Sequence, residues 1–502
     1  MIPYKTILKI NRKSTQAIYI QLTNQFIDLI KKRTLPPETK LPGSRSLAEL
    51  LGVHRKTIIA CYEDLSLQGW TLSLPQKGTY VNGKIPELKQ TKLGTNNENQ
   101  KKLATGFPFK KKRILNRNFP DSLDEKNSYI NDGISDPRLT PTKEIATLYR
   151  NICGKMDAIN HLSYGTTYGN LELRKTLVNY LNETRGLNIS VENLIITRGS
   201  QMGMFLAAQL LFEENDCIII GETNYSSSDT TFEFSGAKTL RISVDQHGLV
   251  TDEIEALCKK HKVKAIYTTS HHHHPTTVTL SAQRRIHLLN LSKVYNFAII
   301  EDDYDYDFHY EHAPILPLAS HDTDGNVIYV GSICKSVAPV YRIGYLIASK
   351  DFVDECAKLR RFVDRQGDAL LEMTFAKFIK YGALDRHIKK ALKIYKARKD
   401  FFCSLLQEEL GNFISFDVPS GGMAIWAKLH PEYSWKEVAE VGKKNHLIIS
   451  EWQRYDPQNT GHNAIRIGFA AFNENEIVKL IDRLKTTLTI LADSKKQKTK
   501  PK

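Results

Sequence analysis

Lys335 sits in Gly331-Ser332-Ile333-Cys334-Lys335-Ser336-Val337-Ala338-Pro339-Val340-Tyr341-Arg342, just past a run that reads as a strand. Asp302 does the same in Ile299-Ile300-Glu301-Asp302-Asp303-Tyr304-Asp305, 33 positions earlier. An amine so placed condenses with an aldehyde, and a carboxylate beside it holds a ring nitrogen protonated, which are the two demands of pyridoxal phosphate (PLP). In that chemistry Lys335 forms the internal aldimine, Asp302 pairs with the pyridine nitrogen, and Tyr304 donates to the phenolic oxygen. Gly199, Ser200 and Gln201 offer amides and a hydroxyl at a helix start for the phosphate, with Ser332 and Arg342 closing the cage. Tyr225, after Gly221-Glu222-Thr223-Asn224, can stack on the ring face. Plainer alternatives stand beside each: a lysine after a strand can be a surface charge, Tyr225 can be core packing, and the acidic cluster can bind a cation. It is the coincidence of all these groups that favours the cofactor.

The elements that must position these residues alternate along the chain. Strands are expected at Leu194 to Ile196, Cys217 to Ile220, Ala265 to Thr268, Phe297 to Ile300, Val327 to Val330 and Gly344 to Ala348. Helices fall between them, at Ser200 to Glu213, near Phe232, and at Ser281 to Val294. This alternation predicts an α/β domain with a mainly parallel sheet between helices, whose ligands gather at the carboxyl ends of the strands. Arg198 to Gln201, Ser270 to Thr277, Asp302 to Tyr304 and Ser332 to Lys335 then converge on one edge.

The first 82 residues carry a different pattern. Ile18, Leu22, Phe26, Leu29 and Ile30 lie on one helical face that stops near Pro36-Pro37. A second helix and a glycine turn at Gly52 follow, then a helix from about His54 to Leu67, which is helix-turn-helix spacing. Gly69 to Leu74 and Gly78 to Val81 read as two strands around Pro75-Gln76-Lys77, a hairpin wing. His54, Arg55, Lys56 and Thr57 form the first turn of the recognition helix, where side chains meet DNA, and Arg45 and Lys77 flank it. A solvated charge cluster is the bland alternative, made less apt by the turn and the wing.

Charge follows the same division. Of the net +15, residues 1 to 82 hold +7 and residues 83 to 128 hold +6, which concentrates positive charge where nucleic acid would bind. Residues 83 to 128, rich in Lys, Asn, Gln and Thr, read as a flexible basic linker. The domains expected are therefore 1–82, a winged helix-turn-helix; 83–128, the linker; 129–491, the effector domain; and 492–502, a basic tail. Seven scattered cysteines without CxxC spacing fit reduced thiols in a cytoplasm. No signal peptide or membrane-spanning apolar run is read, so a cytoplasmic protein is expected.

The stretch LPGSRSLAELLGVHRKTIIACYEDLSLQGW resembles the winged helix of the GntR superfamily, and by that resemblance Arg45, Arg55, Lys56 and Thr57 are its DNA contacts. GISDPRL, LSYGTTYGNLELR, ITRGSQMG, HHPTTVTL, IIEDDYD, GSICKSVAPVYRIGYL and AIRIGFA resemble the aminotransferase-like domain of fold-type I PLP enzymes. Together the two look like the MocR subgroup of GntR regulators. The resemblance implies a smaller C-terminal α+β subdomain, a homodimer whose sites borrow Tyr164 from the partner, and Arg466 as the grip on a substrate carboxylate. A buried salt bridge is the alternative role for Arg466.

Departures from the family pattern are informative. His274 stands where asparagine usually bonds the phenolic oxygen, in the run His271-His272-His273-His274-Pro275-Thr276-Thr277. Loop histidines without a ligand role, and a metal site, are both open alternatives for that run, and no metal is expected, since consecutive residues rarely converge on one ion. Cys334 replaces a frequent serine or threonine, and Ser227 falls where some relatives have arginine. The expected function is a PLP-dependent, operator-binding transcriptional regulator that senses PLP itself, or an amine or amino acid effector, through the aldimine at Lys335. The alternatives are a working aminotransferase tethered to double-stranded DNA, and a constitutive DNA-binding dimer.

Overall fold

A computed structural model describes residues 2–85, 105, 108, 110, 124, 126–311, 315–333, 335–449, 452–458 and 460–498. Most of the stretch 83–128 expected as a linker, and Cys334, lie outside the described residues. The chain divides into two compact units, Met1–Phe109 and Lys110–Lys502.

In the first unit, helices Ile18–Lys31, Ser44–Leu51 and Arg55–Leu67 precede an antiparallel hairpin of β1 (Thr71–Leu74) and β2 (Gly78–Val81). Leu22, Phe26 and Ile30 point into a core completed by Leu47, Ile58, Cys61, Leu65 and Val81. Gly52 ends the middle helix at φ +62, a left-handed conformation that a side chain would resist. His54 then caps the next helix, its Nδ1 accepting from the Lys56 amide at 3.2 Å.

The second unit is built on seven strands: β3 (Leu194–Thr197), β4 (Cys217–Gly221), β5 (Lys238–Ile242), β6 (Val263–Thr268), β7 (Ala298–Asp303), β8 (Val327–Ser332) and β9 (Gly344–Ile347). Their order in the sheet is β3-β9-β8-β7-β6-β4-β5. Only β9 runs against its neighbours. Period-two alternation feeds both faces: Tyr329 enters one apolar cluster, Ile328 and Val330 another. A smaller antiparallel sheet of β10 (Ile414–Ser415), β11 (Ala424–Leu429) and β12 (Ala464–Gly468) packs against helices Ala383–Leu410, Trp435–Lys444 and Glu474–Lys498. That last helix continues into the stretch set apart as a basic tail.

Two differences from the expected elements have physical causes. β7 runs on to Asp303, because buried Tyr267 and Tyr329 hydroxyls satisfy carboxylates that would otherwise end a strand. β5 was not expected, since Lys238-Thr239-Leu240-Arg241-Ile242 is an edge strand with mixed polarity. Among the described residues no helix is long and apolar enough to cross a membrane.

Candidate functional site

Lys335 follows β8 by three residues. Its Nζ donates to the Gly133 carbonyl at 2.8 Å and lies 5.7 Å from the centre of the Tyr304 ring. Burial lowers its pKa, with Arg466 adding to the effect and Asp132, Asp305 and Asp302 opposing it. A lysine so placed carries more free amine near neutral pH, the form that attacks a carbonyl.

Asp302 occupies the adjacent strand. Its Oδ2 accepts from the Tyr267 hydroxyl at 2.9 Å, whereas Oδ1 is buried and has no hydrogen-bond partner among the described residues. Leaving such an oxygen unpaired costs about 1 to 3 kcal/mol, and a protonated ring nitrogen would remove that cost. Burial pushes the Asp302 pKa up to about 7, Asp303 and Asp305 adding to it while the Tyr267 hydrogen bond and Lys335 pull it down.

The phosphate end is built on close approach of backbone. Gly199 precedes helix Ser200–Leu211 at φ +79, and a Cβ there would come 2.9 Å from the Arg342 guanidinium carbon. Arg342, itself left-handed at φ 49, donates to the Arg198 carbonyl at 2.7 Å. The Gln201 side chain is committed to Thr231 Oγ1 at 2.6 Å, so its backbone amide is what it offers an anion. Ser332 donates to the Ile343 carbonyl at 3.2 Å.

Tyr225, His274 and Tyr304 form one wall: the Tyr225 and His274 rings meet edge-on at 5.0 Å, and His274 and Tyr304 lie 6.3 Å apart. The Tyr304 hydroxyl donates to the His272 carbonyl at 2.8 Å and accepts from Arg466 Nη2 at 3.3 Å. His274 Nε2 is 2.9 Å from Asp132 Oδ2, while its Nδ1 is buried without a partner among the described residues. Burial lowers the His274 pKa, against the pull of Asp132. The other three histidines turn elsewhere: His271 to the Ile315 carbonyl, His272 to Asp305, His273 to Thr276. Among the described residues no three ligating side chains are grouped to hold a metal ion.

Sequence reasoning missed Asp132, which joins the site from 142 residues before His274. Its Oδ1 accepts from the Tyr455 hydroxyl at 2.8 Å, and Arg454 and Arg466 lie 3.2 and 3.7 Å from its carboxylate. Burial alone would raise its pKa, but His274, Arg454 and Arg466 hold it well below the usual carboxylate range. Position beside GISDPRL was the only signal available for it. Tyr267, Arg454 and Tyr455 were likewise unmarked by any motif.

Arg466, at the middle of β12, is buried, and its three arms reach the Asp132 and Pro275 carbonyls and Tyr304. Tyr164 is three-quarters exposed and stacks under the Arg365 guanidinium at 4.0 Å, rather than facing Lys335 within its own chain. In the first unit Arg45, His54, Arg55, Lys56 and Lys77 are exposed and Thr57 is half-buried; Arg55 donates to Ser44 Oγ at 3.3 Å.

Known proteins match this arrangement. A family model described as aminotransferase class I and II matches residues 140–484, and one for bacterial regulatory proteins of the gntR family matches 18–81. The chain belongs to the class I and II aminotransferase family. With the gntR-type module in front, its organisation is that of the MocR regulators, and PLP is its cofactor. The HTH-type transcriptional regulator YdeL of Bacillus subtilis (strain 168) is 25% identical over 96% of this chain and 99% of its own length. Aromatic-amino-acid aminotransferase 1 of Thermococcus litoralis is 28% identical, over 71% of this chain and 86% of its own. Among solved structures, the Pyrococcus horikoshii kynurenine aminotransferase, in complex with PMP, superposes with a TM-score of 0.69 at 26% identity, covering 75% of this chain and 92% of that one.

Proposed function

We propose that this MocR-type chain is a transcriptional regulator whose operator affinity is set by what occupies Lys335. PLP, when bound, supplies an aldehyde that takes up an amine and a ring that draws off electrons. The chain's own residues then define the site: Lys335 would hold the cofactor, Asp302 Oδ1 would accept a hydrogen bond from the protonated ring nitrogen and keep it protonated, and Gly199, Ser200, Gln201, Ser332 and Arg342 would hold the phosphate. Tyr225 and His274 would wall the ring, Tyr304 would serve its phenolic oxygen, and Arg466 would bind an effector carboxylate. The effector is PLP or an amine, and the protein acts in the cytoplasm as a homodimer. Exposed Ile159, Leu162, Tyr164, Val340 and Phe362 support a partner subunit. Arg45, His54, Arg55, Lys56, Thr57 and Lys77 carry the DNA contacts.

The observation that carries this reading is the orphaned Asp302 oxygen beside a lysine of lowered pKa, in a chain that opens with a DNA-reading module. Borohydride reduction of the protein with PLP, followed by peptide mass spectrometry, tests the site. A phosphopyridoxyl adduct on Lys335 is expected, and an unmodified Lys335 overturns the reading. Retention of Arg466 favours a second reading, a working aminotransferase, for which sustained keto-acid formation from an amino donor is the decisive result.

A further inference from the structure

The segment that leads from the DNA-reading unit into the second unit passes through the site itself. Ser128–Tyr129 pairs with Leu447–Ile448 as a two-stranded ribbon, the Ser128 and Ile130 amides donating to the His446 and Ile448 carbonyls at 2.8 and 3.0 Å. The Asn131 side chain then accepts from the Gly133 and Ile134 amides, and its carbonyl accepts from Gly468 at the end of β12. Asp132 reaches His274, Tyr455 and Arg454, and the next carbonyl, that of Gly133, accepts a hydrogen bond from Lys335 Nζ. Gly133 stands at φ +77 with a virtual Cβ 3.2 Å from that of Ala424, so the segment lies flat on β11. Two adjacent residues thus hold the two sides of the pocket, one by charge and one by a hydrogen bond to the reactive amine.

We propose that residues 126–134 are the relay of this regulator: they are latched by the free Lys335 amine and loosened when that amine is used. The inference rests on the reading above, in which occupancy of Lys335 is the signal. The chemistry dictates the sign. When the Lys335 nitrogen forms a double bond to an aldehyde carbon, the carbonyl oxygen leaves as water with two of the protons on that nitrogen, and a third, where the nitrogen carried one, goes to solvent or stays. Of the hydrogens that the Lys335 nitrogen can direct at the Gly133 carbonyl at most one is left, so the bond that holds this segment to the reactive nitrogen weakens or is lost. Asp132 is the second half of the latch. It touches the same His274 that walls the pocket and the same Arg466 that an acidic effector would engage, so an effector carboxylate competes with it for that cation. The relay stands near the start of the second unit, on the side of the sequence that leads back to the DNA-reading unit.

Hydrogen exchange on the full-length protein, with and without PLP, tests this. The amides of Ser128, Ile130 and Gly133 should exchange faster when PLP is added, by up to about tenfold, the loss expected of one hydrogen bond. Asp132→Asn, which keeps the shape of the side chain, should show faster exchange in the same peptide before PLP is added, and a smaller change afterwards. Equal exchange with and without PLP, in protein whose Lys335 is trapped by borohydride, overturns the relay alone. Loosening without any change in operator affinity overturns it too, as a signal that reaches nothing. Failure to trap Lys335 brings down the site reading and the relay with it.

Discussion

Asp302 shows how a single side chain is prepared for a ligand at a cost to the protein without it. A buried acid whose pKa is raised holds its proton more tightly folded than unfolded. Between the ordinary carboxylate range and about pH 7 the folded state therefore binds more protons, and stability falls as pH rises through that window. Asp302→Asn removes the penalty. In PLP-free protein the variant should be more stable than wild type by an amount that grows from pH 5 to pH 8, reaching at most about 4 kcal/mol, as read from urea titrations. The same change should weaken PLP binding about 10- to 100-fold, as the loss of a charged hydrogen bond does. A variant that is less stable at pH 8 than at pH 5, relative to wild type, contradicts this role. Lys335 and Asp302 were legible in the sequence because each sits where an apolar run stops, which marks a strand end. Asp132 and Tyr267 were not, since they meet the site through long-range contacts that no local pattern encodes.

Elements hold these side chains through backbone proximity. Gly199 and Gly344 touch, with a virtual Gly344 Cβ 2.6 Å from the Gly199 carbonyl carbon, and Gly199 also faces Arg342. Gly199→Ala should therefore cost about 1 to 3 kcal/mol in backbone conformation alone, since φ +79 with ψ 170 is a region that essentially only glycine adopts, besides crowding Arg342. Retention of PLP through gel filtration should drop about tenfold while far-ultraviolet circular dichroism stays unchanged; unaltered retention would show that this turn is not the phosphate cradle. On the recognition helix, Lys56→Ala should weaken operator binding and reduce its log-log salt slope by about one, the signature of one phosphate contact. An unchanged slope would remove Lys56 from the interface. Strong periodicity made these helices and the central strands readable. The edge strand β5 and the acidic end of β7 escaped, because their polarity is explained only by position in the sheet and by tyrosine partners from neighbouring strands.

At the scale of the molecule, the sequence announced both units, by a change of charge and by a change from a helix-turn-helix with a hairpin to alternating strands and helices. Tyr164, expected from the resemblance as a group lent to a partner subunit, faces outward in its own chain, which is consistent with the homodimer proposed above. In the proposed function, chemistry at Lys335 sets operator affinity and so couples the cofactor site to the DNA-reading module. Couplings of this kind run at about 1 to 3 kcal/mol, or roughly 5- to 150-fold in affinity. The direct measurement is operator affinity at fixed salt for wild type and Lys335→Ala, each with and without PLP. PLP should shift the wild-type affinity within that range and leave Lys335→Ala where it was. An equal shift in both proteins, or none in either, would contradict the account.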